Sequence, residues 1–163
     1  MASRALRMGG YIGAFAAVVA GDQAVKAAMR GLLSEDGSMT LVPGIMDLHL
    51  VYNGGAAFGM GDGGAWLYVA VALAVLVASV AYVVLGNPSV PLSVALGFVA
   101  GGGVGNLIDR VATGTVTDFF MPTFVDFAVF NVADIAITCG AVVAFVLFWR
   151  AEGSRGQKDG GRL

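Results

Sequence analysis

The chain has 163 residues and a formal net charge of −2; 58% of its residues are hydrophobic and 12% are charged. Soluble domains average about 45–50% apolar and about 25% charged residues, so this composition, with a mean hydropathy of +0.83, argues against a water-soluble domain and for membrane residence. The length suits one domain, and the single cysteine, Cys139 in an apolar run, excludes an intramolecular disulfide.

Arg4 and Arg7 precede a first apolar run over residues 8–30, interrupted late by Asp22 and Lys26. A basic start before an apolar run can be a signal peptide. Here no small-x-small cleavage site leads into a soluble domain and further apolar runs follow, so a retained span is expected. Residues 31–64 contain Glu35, Asp36, Asp47 and Asp62 but no Lys or Arg. Within them, 40–42 and 45–52 are short strand-like runs with Pro43-Gly44 as a turn between them. Residues 65–85 are 21 uncharged positions, and a spanning helix needs about 20. A turn at 86–89 leads to a third span over 91–108, and 132–149 form a fourth. The expected fold is an all-α membrane protein of four transmembrane helices with a small extracytoplasmic antiparallel β-sheet on the membrane surface. Residues 1–150 form one domain, and the glycine-rich polar stretch 151–163 reads as a disordered basic cytoplasmic tail.

The basic residues orient this arrangement. Of nine, two lie before the first span and four follow the last, while the 31–64 loop has none. The positive-inside rule then places both termini in the cytoplasm and the 31–64 and 109–131 regions outside.

The chemistry-bearing residues cluster between 101 and 138. Asn106, Asp109 and Arg110 stand at i, i+3 and i+4 at the outer end of the third span. Asp109 and Arg110 can be interface anchors that snorkel to water; alternatively Arg110 offers its donors to a bound peptide backbone, with Asp109 orienting it. Asn131 followed by Asp134 has the spacing of a helix N-terminal box, and the helix dipole favours an ionised Asp134. Asp118 lies in the connection between these helices. Acids at a bilayer are costly and mark function by default, and two acids on neighbouring segment ends suggest a pair that shares a proton.

Other motifs have plainer readings. Gly97, Gly101 and Gly105 form a small-xxx-small ridge for close helix packing; GGGVGN lacks the strand–turn–helix context of a nucleotide loop. Asp22 and Lys26 share a helix face and read as an ion pair. A Ser–Lys dyad would need a nearby serine, and the outer half offers only Ser34 and Ser38 in the loop. His49 is the only histidine, so neither a His-rich zinc site nor a Ser–His–Asp triad can be built. Cys139 reads as packing. No metal and no cofactor is called for.

The blocks GDQAVK, NGGAAFG, GGVGNLIDR, VTDF and FNVAD occur in that order over nearly the whole chain. Together they resemble the lipoprotein signal peptidases, or signal peptidase II, aspartic peptidases of the bacterial inner membrane. The resemblance implies a catalytic pair, Asp118 and Asp134, carried by VTDF and NVAD. It implies substrate contacts at Asn53, Gly54, Asn106, Arg110 and Asn131, with Asp22, Lys26 and Asp109 in support. The implied substrate is a prolipoprotein whose cysteine carries diacylglycerol, cleaved just before that cysteine. The expected partners are such precursors and membrane lipid, with no nucleic acid, and the expected state is a monomer. Asp126, in the short apolar segment 121–130, has no counterpart in that pattern.

A proton-coupled transporter is the competing reading, since membrane acids also build relays. A relay wants acids spread across the membrane, whereas Asp22, Asp109, Asp118 and Asp134 gather near one face. A scaffold subunit leaves this clustering unexplained. Residues 53–64 include six glycines around Ala56, Ala57, Phe58 and Met60, and read as a flap over the dyad.

Overall fold

The helices begin and end where the side chains dictate. In the computed structural model, which describes residues 3–33, 37–55 and 65–159, helix α1 spans Arg4–Leu32, and the Ser3 hydroxyl accepts the Leu6 N–H at its start. Helix α2 spans Ala65–Leu85, α3 Val90–Thr113 and α4 Val132–Asp159. Ser89 caps α3, Pro91 occupies its first turn, where a missing N–H costs nothing, and Gly114 ends it at φ 80°. All four helices are long and apolar enough to cross a membrane. Helix α4 runs on to Asp159, past Arg150, where the sequence reading starts the polar tail.

Helix α3 is the most buried of the four and packs against each of the other three. Its glycines make this possible. A Cβ on Gly97 would lie 2.5 Å from the Tyr11 carbonyl oxygen, and one on Gly101 would lie 2.9 Å from that of Phe15, both on α1. On another face, a Cβ on Gly102 would lie 2.5 Å from the Ala133 carbonyl oxygen of α4. In lipid, helices gain no hydrophobic drive to associate, so such backbone-to-backbone approach carries the packing.

Three strands form one antiparallel sheet in the order β1-β2-β3: Ser38–Val42, Met46–Asn53 and Val116–Pro122. Strands β1 and β2 are the two runs read from sequence, and Gly44 turns between them at φ 73°. The third strand was not legible as one. The segment read as a connection pairs with β2 in the register Val51↔Asp118, Tyr52↔Thr117 and Asn53↔Val116. Its other side is held by Phe130, whose carbonyl accepts the Phe119 and Phe120 N–H groups. Leu33, Leu48, Leu50 and Phe119 bury the sheet against Val25 and Met29 of α1 and Val132 of α4.

The sheet therefore sits where α1 ends and α4 begins. The opposite end of the bundle is closed by Arg7, which donates to the Asn87 side chain in the α2–α3 turn at 2.6 Å. Nearby, the buried Tyr11 and Ser79 hydroxyls bond at 2.8 Å. The flap expected over residues 53–64 falls largely on 56–64, outside the described residues.

The glycine contacts give a direct stability test. Gly97→Val, forced against the Tyr11 carbonyl, is expected to cost at least about 2 kcal/mol, in the range of overpacking. Gly13→Val, with nothing within 4 Å of its Cβ, is expected to stay within about 0.5 kcal/mol of the parent. Denaturation of the purified proteins in detergent checks both.

Candidate active site

The site is built on a buried cation. Lys26 and Asp22 lie one turn apart on α1, and both are 0% exposed. The Lys26 ammonium has three N–H donors and meets three acceptors: Asp22 Oδ2 at 2.9 Å, Asn106 Oδ1 at 2.9 Å and Asp109 Oδ2 at 3.2 Å. Each acceptor does a second job. Asp22 Oδ1 accepts the Ala133 N–H at 2.9 Å, capping the start of α4 from a different helix. Asp109 Oδ2 accepts the Thr117 N–H at 3.0 Å, tying α3 to β3. Gln23 donates to Asp109 Oδ1 and to the Gly105 carbonyl. The absence of a side chain at Gly105 lets Asp22 in, since a Cβ there would lie 2.7 Å from its Oδ2.

The sequence reading had Asp109 orient Arg110. Its hydrogen bonds instead go to Thr117, Gln23 and Lys26. The contact of Arg110 is Tyr68 of α2, over whose ring the guanidinium stands at 4.8 Å.

The amides transmit polarity from the cation to the two acids. Lysine only donates, so Asn106 must turn its oxygen to Lys26, which leaves its NH₂ for Asp134 Oδ1 at 2.8 Å. Asn131 and Asp134 form a reciprocal box at the start of α4: the Asn131 N–H reaches Asp134 Oδ2 at 3.1 Å, and the Asp134 N–H reaches Asn131 Oδ1 at 3.0 Å. With its oxygen committed, Asn131 donates its NH₂ to Asp118 Oδ1 at 2.6 Å and to Asn106 Oδ1 at 3.1 Å. Asn53 repeats the logic. Its oxygen accepts the Gly55 N–H, and its NH₂ donates to Asp118 Oδ2 at 3.0 Å.

Asp118 and Asp134 thus come from β3 and α4, share Asn131, and line one cavity of about 540 Å³. Burial pushes the Asp118 carboxyl up to about 6, and the negative charge of Asp134 adds to this; the Asn53 and Asn131 amides and Lys26 oppose it without prevailing. The cavity also takes in Asn53, Asn106 and Arg110, all named from sequence. At its edge the lining residue is Gly55, with Gly54 beside Thr115. Tyr68, Phe127, Phe130 and Cys139 are among the other lining residues and were not legible as site residues. Cys139, read as packing, is exposed at this surface. The apolar period of α2 and α4 marks which positions are apolar, not which face meets the cavity. Asp126 is exposed in the β3–α4 loop. Among the described residues, no group of three or more His, Cys, Asp or Glu side chains is arranged to hold a metal ion.

Comparison with known proteins identifies the family and the fold. A family profile described as Signal peptidase (SPase) II matches residues 14–150. A lipoprotein signal peptidase of Symbiobacterium thermophilum is 44% identical over 129 residues, covering 77% of this chain and 84% of the relative. One from Streptococcus thermophilus is 34% identical over 140 residues, covering 85% and 92%. Among solved structures, a bacterial membrane enzyme determined by the in meso method at 2.3 Å superposes with a TM-score of 0.82 at 27% identity, covering 90% of this chain and 91% of that one. A multi-pass helical bundle, a three-stranded sheet at one end and two acids in one cavity at that end are thus joined to family-wide sequence similarity, and the chain belongs to the signal peptidase II family of lipoprotein signal peptidases.

Proposed function

We propose that the chain is an aspartic endopeptidase that removes signal peptides from diacylglyceryl-modified prolipoproteins by cleaving just before the lipidated cysteine. The observation that carries this reading is the pair Asp118 and Asp134, held from separate elements by one asparagine within one cavity. Two close carboxylates resist ionising together and share one proton. Asp118, with its carboxyl raised to about 6, holds that proton. Asp134 accepts N–H groups on both oxygens at a helix start, which holds it in place as the base.

In the reaction, Asp134 takes a proton from water as the water oxygen attacks the scissile carbonyl carbon. Asp118 gives its proton to the carbonyl oxygen, which leaves a neutral tetrahedral diol. Asp134 then returns its proton to the departing amide nitrogen while Asp118 recovers one from the diol hydroxyl. The C–N bond breaks, and both acids regain their starting states without a covalent intermediate. Asn53, Asn106 and Arg110 line the peptide path, with Gly54 next to the lining Gly55 and the buried Asn131 behind the two acids. Among the described residues the Arg110 guanidinium makes no hydrogen bond, which leaves its donors for the substrate's backbone carbonyls. Asn53, Asn106 and Asn131 act through the carboxylates they hold.

The enzyme works as a monomer in the bacterial inner membrane, with both termini cytoplasmic and the dyad at the periplasmic face. The basic residues at both termini support this orientation, as does the position of Arg7 at the end of the bundle away from the dyad. The alternative of a proton relay across the bilayer is disfavoured by the gathering of Asp22, Asp109, Asp118 and Asp134 at one end.

Asp118→Asn and Asp134→Asn are each expected to leave less than about a hundredth of the cleavage of a lipid-modified precursor, given the 10²–10⁴-fold worth of an acid or base. Both should still purify as membrane-inserted proteins, and retained activity in either would remove that residue from the dyad. In the parent, kcat/KM is expected to fall as pH rises through about 6, where Asp118 loses the proton it must donate; a profile flat from pH 5 to 8 would contradict this assignment. A precursor without the diacylglyceryl group is expected to be cleaved at least tenfold less efficiently, because each buried methylene contributes about 0.8 kcal/mol. Equal turnover of the two precursors would refute the lipid requirement.

A further inference from the structure

Arg110 sits in the last turn of α3, half-buried at the cavity. Asp118 on β3, Asp134 on α4, Asp109 on its own helix and the Tyr68 hydroxyl of α2 all act electrostatically on it, while Lys26 of α1 acts on Asp118. A guanidinium beside carboxylates ordinarily closes on them in a bidentate pair. Here it does not. Each oxygen of Asp134 and Asp118 accepts one N–H, from Asn106, Asn131 or Asn53, and keeps a lone pair for a second donor, so the acids stay open to the guanidinium. The guanidinium carbon stands 4.8 Å from the centroid of the Tyr68 ring. Among the described residues, Tyr68 is the only part of α2 that lines the cavity.

A cation over a ring is held by the π face without using a hydrogen-bond donor, so the five guanidinium N–H groups remain available to other acceptors. We propose that Tyr68 is a positioning residue: its ring holds the Arg110 guanidinium at the cavity wall, so that the N–H groups go to the substrate's backbone carbonyls instead of to Asp118 and Asp134. This rests on the aspartic-peptidase reading given above. Without the ring, the guanidinium swings onto the dyad, where it competes for the base and discourages protonation of Asp118. Helix α2 thereby takes part in the chemistry through one side chain that touches no reacting atom. Since the role needs a π face and not a hydroxyl, phenylalanine fulfils it and an aliphatic residue does not.

The test uses the full-length enzyme in bilayers with a diacylglyceryl-modified lipobox peptide. Tyr68→Leu is expected to lower kcat/KM by about 3- to 30-fold, the span of a cation–π contact from exposed to desolvated. It should also move the alkaline limb of the pH profile to lower pH, because a cation nearer Asp118 favours loss of its proton. Tyr68→Phe is expected to recover most of the lost activity and the parental limb. In an Arg110→Gln background, Tyr68→Leu should produce little additional loss. The proposal is overturned if Tyr68→Phe is as impaired as Tyr68→Leu, if the limb does not move, or if the leucine substitution costs the same factor with and without Arg110. Should the leucine variant fail to fold, Tyr68→Met replaces it and is read identically. Loss of activity in the dyad variants, measured alongside, separates the two readings. If they are inactive and the Tyr68 cycle is additive, only the role of Tyr68 falls; if they stay active, the aspartic mechanism itself falls.

Discussion

A fully buried ammonium in a membrane protein has to be satisfied completely, and the arrangement around Lys26 follows from that constraint. Removing one partner of a buried ion pair leaves an uncompensated charge and typically costs about 3–5 kcal/mol. Lys26 meets this with two carboxylates and one amide oxygen. The two carboxylates then carry one negative charge more than Lys26 neutralises. Arg30, 4.0 Å from Asp109 Oδ1, and backbone N–H groups meet the excess: Ala133 at the start of α4 for Asp22 and Thr117 in β3 for Asp109. Satisfying one cation therefore ties α1, α3, α4 and β3 to a common point. Gly105 is part of the same solution, because a side chain there would occupy the position of Asp22.

The second consequence is direction. Amide side chains donate at one end and accept at the other, and each asparagine near the dyad has its accepting end claimed: Asn106 by Lys26, Asn131 by the Asp134 N–H and Asn53 by Gly55. Their donating ends consequently converge on Asp118 and Asp134. The two acids nonetheless differ. Asp134 lies in the first turn of α4 and accepts one N–H on each oxygen. Asp118 lies on a strand, 3% exposed, where removal from water dominates. In the proposed reaction these two settings divide the acid and base roles between the pair.

The sheet provides the rigidity that a loop would not. Strand β3 is paired on one side by β2 and on the other by Phe130, so the backbone at Asp118 is held at both edges. Phe119, Phe120, Phe130 and Phe127 run in contact, with successive centroids 4.6, 5.6 and 6.1 Å apart, from the buried core to the cavity wall. The apolar side chains exposed on the helices, such as Val77, Leu85, Phe145 and Trp149, suit a hydrocarbon surround in which only the site end is polar.

Much of this was written in the residue pattern. Runs of uncharged residues long enough for a bilayer define the four helices, because lipid leaves the backbone no partner but itself. The Gly97–Gly101–Gly105 ridge announced close packing, and Asn131 with Asp134 announced a helix start, since both are local features with fixed spacing. The ordered motifs also pointed to Asp118 and Asp134. What the sequence could not determine is whatever depends on contacts between residues far apart in the chain. The strand at Val116–Pro122 exists because β2, more than sixty residues earlier, lends it hydrogen bonds. Asp22 caps a helix that begins 110 residues later. Asp109, read as the partner of its neighbour Arg110, turns to Lys26 and Thr117, and Arg110 is met by Tyr68 of another helix. Spacing along a helix says which residues share a face; only the packed bundle decides what that face meets, because a buried charge or amide goes to the partner that satisfies it, wherever in the chain that partner lies.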